Sequence, residues 1–331
     1  LEPHLFRHSI PNAIPYRTSY YKKNWGFCVT HSQYEELRTA KNNLHVFIDT
    51  ELKPGSLSFG ELLLPGKSEK EILISSYICH PSMANDSLSG VILTAYLAKY
   101  IQSMANRHWS YRIVFVPETI GAIAYCHENE KKLKEIDIGL VITTVGGPGK
   151  LGMKESYNKD HYINKISKFV ISKHESNPVI SPFDIHGSDE RQYSSPGFRI
   201  NCVSITKDKY YDYPEYHSSL DNLDLVKGSQ ILETFKTYVD LIDNLEEQRI
   251  FIRTEPHGEV MLSRHNLYNK IGGSVLPTQG NYESDEINLW LLFYADGNNP
   301  VGEVSEKLGL SYEVTEMHYD NLKDLKLVRE V

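Results

Sequence analysis

Four cysteines in 331 residues, Cys28, Cys79, Cys126 and Cys202, are too few and too scattered for a disulfide scaffold, and none forms a CxxC pair. They read as reduced thiols of a cytoplasmic protein. Basic charge is also short: Lys and Arg total 35 against 43 Asp and Glu, a formal net charge of −8. A general nucleic-acid or anionic-membrane binder needs a basic surface, so both roles fit poorly. The longest apolar runs, such as Leu62–Leu64 and Leu289–Tyr294, fall far short of the roughly 20 residues that span a bilayer. No GxSxG elbow or Walker loop occurs, which removes the common serine-hydrolase and P-loop signatures. Internal repeats and low-complexity tracts are missing too. The chain begins at Leu1 without a basic start and apolar signal core, and a truncated N-terminus is expected.

What remains is ordinary globular composition, 40% hydrophobic and 24% charged, in a chain long enough for a large domain and a small one. Residues 1–66 are rich in aromatic and β-branched residues between turns. Strands are expected at Trp25–Thr30, His45–Thr50 and Ser56–Leu64, forming a β-rich lead-in or side lobe. From residue 67 to 254 apolar strands alternate with helical periodicity. The strands are Glu71–Cys79, Arg112–Pro117, Ile136–Val145 and Arg199–Thr206. The helices are Leu88–Ile101, Ile120–Leu133, Tyr162–His174 and Leu223–Glu247. This alternation predicts an α/β domain, a three-layer mixed, largely parallel sheet flanked by helices. Residues 255–283, with Gly272-Gly273 and Pro277, read as a linker. Residues 284–331 read as three short helices, Glu286–Tyr294, Val301–Leu308 and Ser311–Leu322, an Asp296-Gly297 turn between the first two, and a β-wing at Leu325–Val331. Such a winged-helix-like module serves DNA binding, packing or dimerisation. From Lys270 to Val331 there are 5 basic and 11 acidic residues, which opposes phosphate contact.

Four polar clusters sit at the edges of these elements. In Cys79-His80-Pro81-Ser82-Met83-Ala84-Asn85-Asp86, His80 ends a buried strand and Asp86 begins a helix. Two rigid anchors of this kind can converge on a divalent metal. The plainer alternatives are a satisfied strand-end histidine and a helix N-cap. Cys79 faces away from any ligand that His80 would share. Glu118, in Pro117-Glu118-Thr119, is either a general base or ligand, or a solvated loop acid. Gly187–Tyr193 contains Asp189, Arg191 and Tyr193, a polar turn or a surface loop. Glu215–Asn222 offers His217 as a third ligand, beside Tyr216, with Asp221 placed to orient its ring. One histidine among 14 is weak by itself; four polar clusters in register with the sheet are more.

In this order the clusters resemble the co-catalytic zinc exopeptidase superfamily, which includes bacterial leucyl aminopeptidases, glutamate carboxypeptidases and glutaminyl cyclases. The carrying residues are His80, Asn85-Asp86, Ser89-Gly90, Glu118, Ser188-Asp189 and Tyr216-His217 before Asp221. More closely, the chain resembles aminopeptidase-like proteins with a C-terminal winged helix, of the kind found among bacterial polysaccharide biosynthesis genes. IPYRTSYY (14–21), WGFC (25–28), CHPSMANDSLSG (79–90), PETIG (117–121), SPGF (195–198) and YPEYHSSLDNLD (213–224) carry that likeness. The superfamily places a second Glu after the general base and an acid after the third sheet strand. Here those positions are Thr119 and Val145-Gly146-Gly147. What remains, His80, Asp86 and His217, implies one zinc rather than two, with Asp189 as a candidate extra ligand.

The resemblance further implies that Glu118 handles the proton of a zinc-activated water and that the Asp86–Ser87 peptide is cis. Arg191 and Tyr193 are placed to hold a polar substrate group. The expected activity is zinc-dependent hydrolysis of an amide or peptide bond in a small molecule or short peptide, aminopeptidase-like. The alternatives are an amidase or deacylase acting on a sugar or other metabolite, and a non-catalytic scaffold with a degenerate metal site. Expected partners are a substrate and, through the winged helix, a second copy or another protein; neither membrane nor nucleic acid is expected.

Overall fold

The apolar runs of the sequence pair into one sheet. The computed structural model describes residues 2–19, 22–268 and 283–330 and divides into two compact units, Leu1–Ile242 and Asp243–Val331. Tyr20-Tyr21 and the Gly272-Gly273 and Pro277 punctuation of the expected linker lie outside the described residues.

The first unit opens with a short parallel pair, β1 (Leu5–Phe6) and β2 (Phe27–Cys28), and a helix, α1 (His31–Thr39). Trp25–Thr30 is therefore not one strand. Thr30 turns the chain into α1, its hydroxyl accepting from the Gln33 amide at 3.3 Å while Gln33 Oε1 accepts from the Thr30 amide at 3.0 Å. This reciprocal cap is the T-x-x-Q pattern of a helix start. His45–Thr50 is not a strand either: residues 40–59 are exposed and without regular structure. Alternating Val46 and Ile48 have β propensity, but among the described residues no strand pairs with them, and an unpaired strand does not form. The expected Ser56–Leu64 strand begins only at Gly60.

The large sheet follows in chain order. β3 (Gly60–Leu64) and β4 (Glu71–Tyr77) lead to α2 (Gly90–Ser103) and β5 (Ser110–Val116). Then come α3 (Ile120–Glu128), α4 (Glu130–Leu133), β6 (Ile138–Val141), β7 (Gly152–Lys154) and α5 (Tyr162–His174). β8 (Val179–Ser181), α6 (Glu190–Tyr193), β9 (Asn201–Thr206) and α7 (Gly228–Glu247) complete it. The strand order is β3-β5-β4-β6-β9-β7-β8. β5, β4, β6 and β9 are mutually parallel, while β3 pairs antiparallel with β5 and β7 antiparallel with β9. The architecture is thus a mixed, largely parallel α/β sheet with flanking helices. Strands buried on both faces need continuous apolar runs, and Ile72, Leu73 and Ile74 of β4 and Ile113 and Val114 of β5 are fully buried. Helix α2 buries Leu93, Leu97 and Ile101, one face at four-residue spacing. Truncating any of them to Ala would cost about 2–5 kcal/mol. The edge strand β3 is tied in by Arg112, which bonds Glu61 on β3 and Glu71 on β4, the latter at 2.6 Å.

β7, β8 and α6 have no counterpart in the sequence reading, being three or four residues long and without a full period. The Ile136–Val145 strand shortens to β6, and Ile120–Leu133 divides at Asn129 into α3 and α4.

In the second unit β10 (Ile250–Arg253) lies between β11 (Asp296–Pro300) and β12 (Val328–Glu330), both antiparallel to it. Among the described residues it also contains the 3-10 turn Leu262–His265 and three α-helices, α8 (Ser284–Tyr294), α9 (Val301–Leu308) and α10 (Tyr312–Asp324). Its core gathers Phe251, Leu291, Val304, Tyr319 and Leu322, with Phe251 stacked on Tyr319 at 4.5 Å. The Asp296-Gly297 turn is drawn into β11, and β10 falls in the stretch assigned to the larger domain. Pairing between strands this far apart in sequence leaves no local signal.

Candidate metal centre and active site

The parallel strands all point their carboxyl ends to one edge of the sheet. From β4 the chain moves to β5 on one side and then crosses to β6 on the other. A reversal of winding of this kind opens a crevice at the strand ends. The loop after β4 carries His80 and Asp86, the loop after β5 carries Glu118, and the segment after β9 carries His217 and Asp221.

Ala84–Ser89 forms a widened, irregular turn before α2, with Asp86 at φ −109° and ψ 80°, outside helical geometry. The Asp86–Ser87 peptide is cis. Neighbouring side chains hold this turn in place. Asn85 Oδ1 accepts from the Gly146 amide at 2.9 Å, and Ser89 Oγ accepts from the Val145 amide at 3.1 Å. A Cβ on Gly90 would stand 2.4 Å from Ile142 O; only glycine lets α2 start this close to the end of β6. Asp221 accepts from the Asn85 amide at 2.5 Å, the Asp86 amide at 2.9 Å and the Tyr213 hydroxyl at 3.2 Å. Asp221 was expected to orient the His217 ring. Instead it anchors the backbone that presents Asp86.

His80, Asp86 and His217, expected from the sequence as ligands, come together: one ligand atom from each lies within 4.8 Å of the other two. The Tyr77 hydroxyl donates to Asp86 Oδ1 and stands 2.6 Å from Thr143 Oγ1. Asp86 Oδ2 is left to face His217 Nε2 at 3.0 Å. Both of these atoms are buried and lack a hydrogen-bond partner. Buried polar atoms are normally satisfied, and a cation shared by the carboxylate and the two imidazoles would satisfy this pair. The donor set, two imidazoles and one carboxylate, fits zinc with an open position. Burial lowers the pKa of His80 from the usual imidazole value, favouring the neutral form that ligation requires. Cys79 Sγ sits 3.3 Å from His80 Nδ1. A proton on Nδ1 directed at the sulfur would leave Nε2 free for a metal. The thiol itself is pushed up to about 11 by burial.

Glu118 Oε2 lies 3.7 Å from His80 Nε2. Burial and the Asp86 charge raise the Glu118 carboxyl to about 7, against the opposing influence of Ser188, His217 and Arg191. The next residue, Thr119, holds φ 61° and ψ −74° at the centre of a γ-turn closed by the Ile120 amide on Glu118 O at 2.7 Å, a strained conformation for a β-branched side chain. The Thr119 amide donates to Asp189 Oδ1 at 2.7 Å, which secures that turn. Asp189 thus commits Oδ1 to the backbone beside Glu118, leaves Oδ2 buried without a partner, and is not grouped with His80, Asp86 and His217. Its carboxyl is fully buried and its pKa raised, chiefly by desolvation and then by Glu118. Arg191 lies 3.4 Å from Thr119 Oγ1. Tyr193, expected to hold substrate, is fully buried in the core with its hydroxyl 3.0 Å from Ser75 Oγ, so no substrate reaches it. Tyr216 stacks on the His217 ring at 4.0 Å.

Two contributors escaped the sequence reading. Tyr77 ends β4 like any core tyrosine, and only the fold brings its hydroxyl to Asp86. Residues 14–16 run along the His217 segment. The Tyr16 amide donates to His217 O at 2.7 Å and the Ser219 amide to Ile14 O at 2.8 Å. These bonds hold His217 at its own left-handed φ of 52°.

A family model described as "Domain of unknown function (DUF4910)" matches residues 4–248. A Clostridium acetobutylicum protein named "Putative polysaccharide biosynthesis protein with aminopeptidase-like domain" is 38% identical over 335 residues, covering all of this chain and 75% of that protein. The crystal structure of a "putative peptidase" from Clostridium acetobutylicum superposes with a TM-score of 0.75 at 35% identity, over all of this chain and 74% of that one. A zinc aminopeptidase of Bacillus subtilis is 14% identical over 56% of this chain and 49% of its own, with a TM-score of 0.47. Among the described residues no helix is long and apolar enough to cross a membrane.

Proposed function

Since this chain belongs to the DUF4910 family, with a clostridial relative named for an aminopeptidase-like domain, we propose that it is a zinc-dependent hydrolase of amide or peptide bonds. His80, Asp86 and His217 would hold one zinc ion. The observation that carries the reading is the unsatisfied Asp86 Oδ2–His217 Nε2 pair, buried beside a second imidazole. When bound, zinc polarises a carbonyl as a Lewis acid and lowers the pKa of a coordinated water to about 7.

The remaining chemistry belongs to side chains. Tyr77 holds Asp86 Oδ1 and directs its second oxygen toward the imidazoles. Glu118, whose carboxylate lies 3.7 Å from His80 Nε2, is placed to accept a proton from water and return it to a leaving amine. The Thr119–Asp189 bond fixes the turn that carries it. Arg191, close enough to influence the Glu118 carboxyl, would meet the polar end of a substrate. The acid-free stretch Val145-Gly146-Gly147 and Thr119 favour a single ion over a pair. The substrate is a short peptide or an amide-bearing metabolite. The relative is named for polysaccharide biosynthesis, which supports including an N-acyl sugar in the screen.

The three helices and three-stranded antiparallel sheet of the second unit support a winged-helix reading. Its acidic balance favours a protein partner or a second copy over nucleic acid. The test for the enzyme is Glu118→Gln, which should keep one zinc per chain and lower turnover of a dipeptide or N-acyl amino sugar by about 10²–10⁴-fold. A variant with full metal and full turnover would refute the role of Glu118. Wild type that takes up no zinc would refute the hydrolase.

A further inference from the structure

The open side of the metal cluster is defined by exposure. His80 and Asp86 have side chains only 3% and 1% exposed, whereas that of His217 is 33% exposed. Of the three, His217 is therefore the one that borders solvent, with Glu118 beside the cluster 21% exposed. Two tyrosines stand there. Tyr216 covers one face of the His217 ring. Tyr16 is half-buried, and its ring is 5.4 Å from His217, edge to face, and 5.5 Å from His80, tilted. Tyr16 thus brings one ring near both imidazoles, and the 14–16 strap is hydrogen-bonded along 217–219. Beyond it Tyr211, 63% exposed, meets Tyr216 edge-on at 5.0 Å.

We propose that Tyr16 is a substrate-contacting residue, walling the approach to the metal and selecting substrates that carry a flat ring beside the scissile amide. The inference rests on the metal-site reading above. Aromatic rings at 4.5–7 Å prefer offset or edge-on neighbours, and such pairs add specificity beyond apolar area. A rim built from tyrosines of two distant segments offers such rings on the solvent side of His217. An unbranched aliphatic group would gain no comparable contact.

The test uses the full chain loaded with cobalt(II), whose visible absorption reports ligand exchange. It is titrated with acetohydroxamate and benzohydroxamate, which share one chelating head and differ by a phenyl ring. Wild type should bind benzohydroxamate about three- to tenfold more tightly. Tyr16→Ala should lose that preference while binding cobalt and acetohydroxamate as before, and Tyr16→Phe should retain it. An undiminished preference in Tyr16→Ala, or no preference in wild type, overturns the role of Tyr16 while leaving the metal site standing. Wild type that does not load cobalt overturns the metal site and the inference together.

Discussion

Asp221 holds the site together without touching a substrate, and its removal has a calculable cost. Its carboxylate accepts two buried main-chain amides, those of Asn85 and Asp86, and the Tyr213 hydroxyl. In Asp221→Ala each amide loses its acceptor, at about 1–3 kcal/mol per buried donor. One contribution runs the other way. Burial raises the Asp221 pKa from the usual carboxylate value. The ionised group therefore opposes folding above that pKa, and deleting it recovers part of the loss. The net expectation is a destabilisation of about 2–4 kcal/mol at pH 7. Asp221→Asn should fall between: its single oxygen serves one amide while its NH2 group faces the other. Both substitutions release the backbone that presents Asp86, and loss of such a supporting partner typically weakens metal binding by about 10–100-fold. Urea unfolding followed by near-ultraviolet circular dichroism measures the first effect, and competition with a chromophoric chelator measures the second. Asp221→Ala with wild-type midpoint and wild-type zinc affinity would show that the Asn85 and Asp86 amides do not depend on it.

Other consequences are equally open to measurement. In the second unit burial works against the Glu330 charge, yet bonds from Arg249 and Lys323 hold its carboxyl down to about 2. Because the folded pKa is depressed, the stabilisation is full above the unfolded value near 4.5 and is lost as pH falls toward 2. Glu330→Gln should cost about 1–2 kcal/mol at pH 7 and flatten the acid limb of the unfolding curve; an unchanged limb would refute the assignment. Gly90→Ala drives a Cβ into Ile142 O and should destabilise by about 1–3 kcal/mol in thermal melts, whereas a neutral result would mean that α2 can withdraw from β6. Zinc at 100 times its Kd should stabilise wild type by about 2.7 kcal/mol, seen as a higher Tm that His217→Ala abolishes; an equal rise in that variant would place the ion elsewhere.

The clusters were legible because each lies where one local pattern ends and another begins. Glu71–Cys79 reads as a buried strand, which puts His80 at a strand end although the strand itself stops at Tyr77, and helical periodicity from Leu88 places Asp86 before a helix. The segment at His45–Thr50 misled for the opposite reason: β propensity is local, but a strand exists only with a partner. The Thr30-His31-Ser32-Gln33 cap is local, and its T-x-x-Q spacing carries the helix start in the sequence. Tyr77 and Tyr193 were not separable from the sequence. Both are tyrosines among apolar residues, yet one hydroxyl meets Asp86 and the other a serine in the core. Asp221 showed itself as a polar residue near His217, while its attachment to Asn85 and Asp86 did not.

Periodicity and residue chemistry thus determined by themselves the alternation of strands and helices and the residue types able to grip a cation. Those properties depend on neighbours a few positions away, so one strand of text contains them. Which groups meet was decided only by the order of strands in the sheet. That order brings the ends of β4, β5 and β9 to one edge and removes Tyr193 to the core, and the bonds of residues 14–16 to 217–219 set Tyr16 beside two histidines remote in sequence. Contacts across more than 100 residues arise from how buried faces close on one another, and that closure is a property of the whole unit.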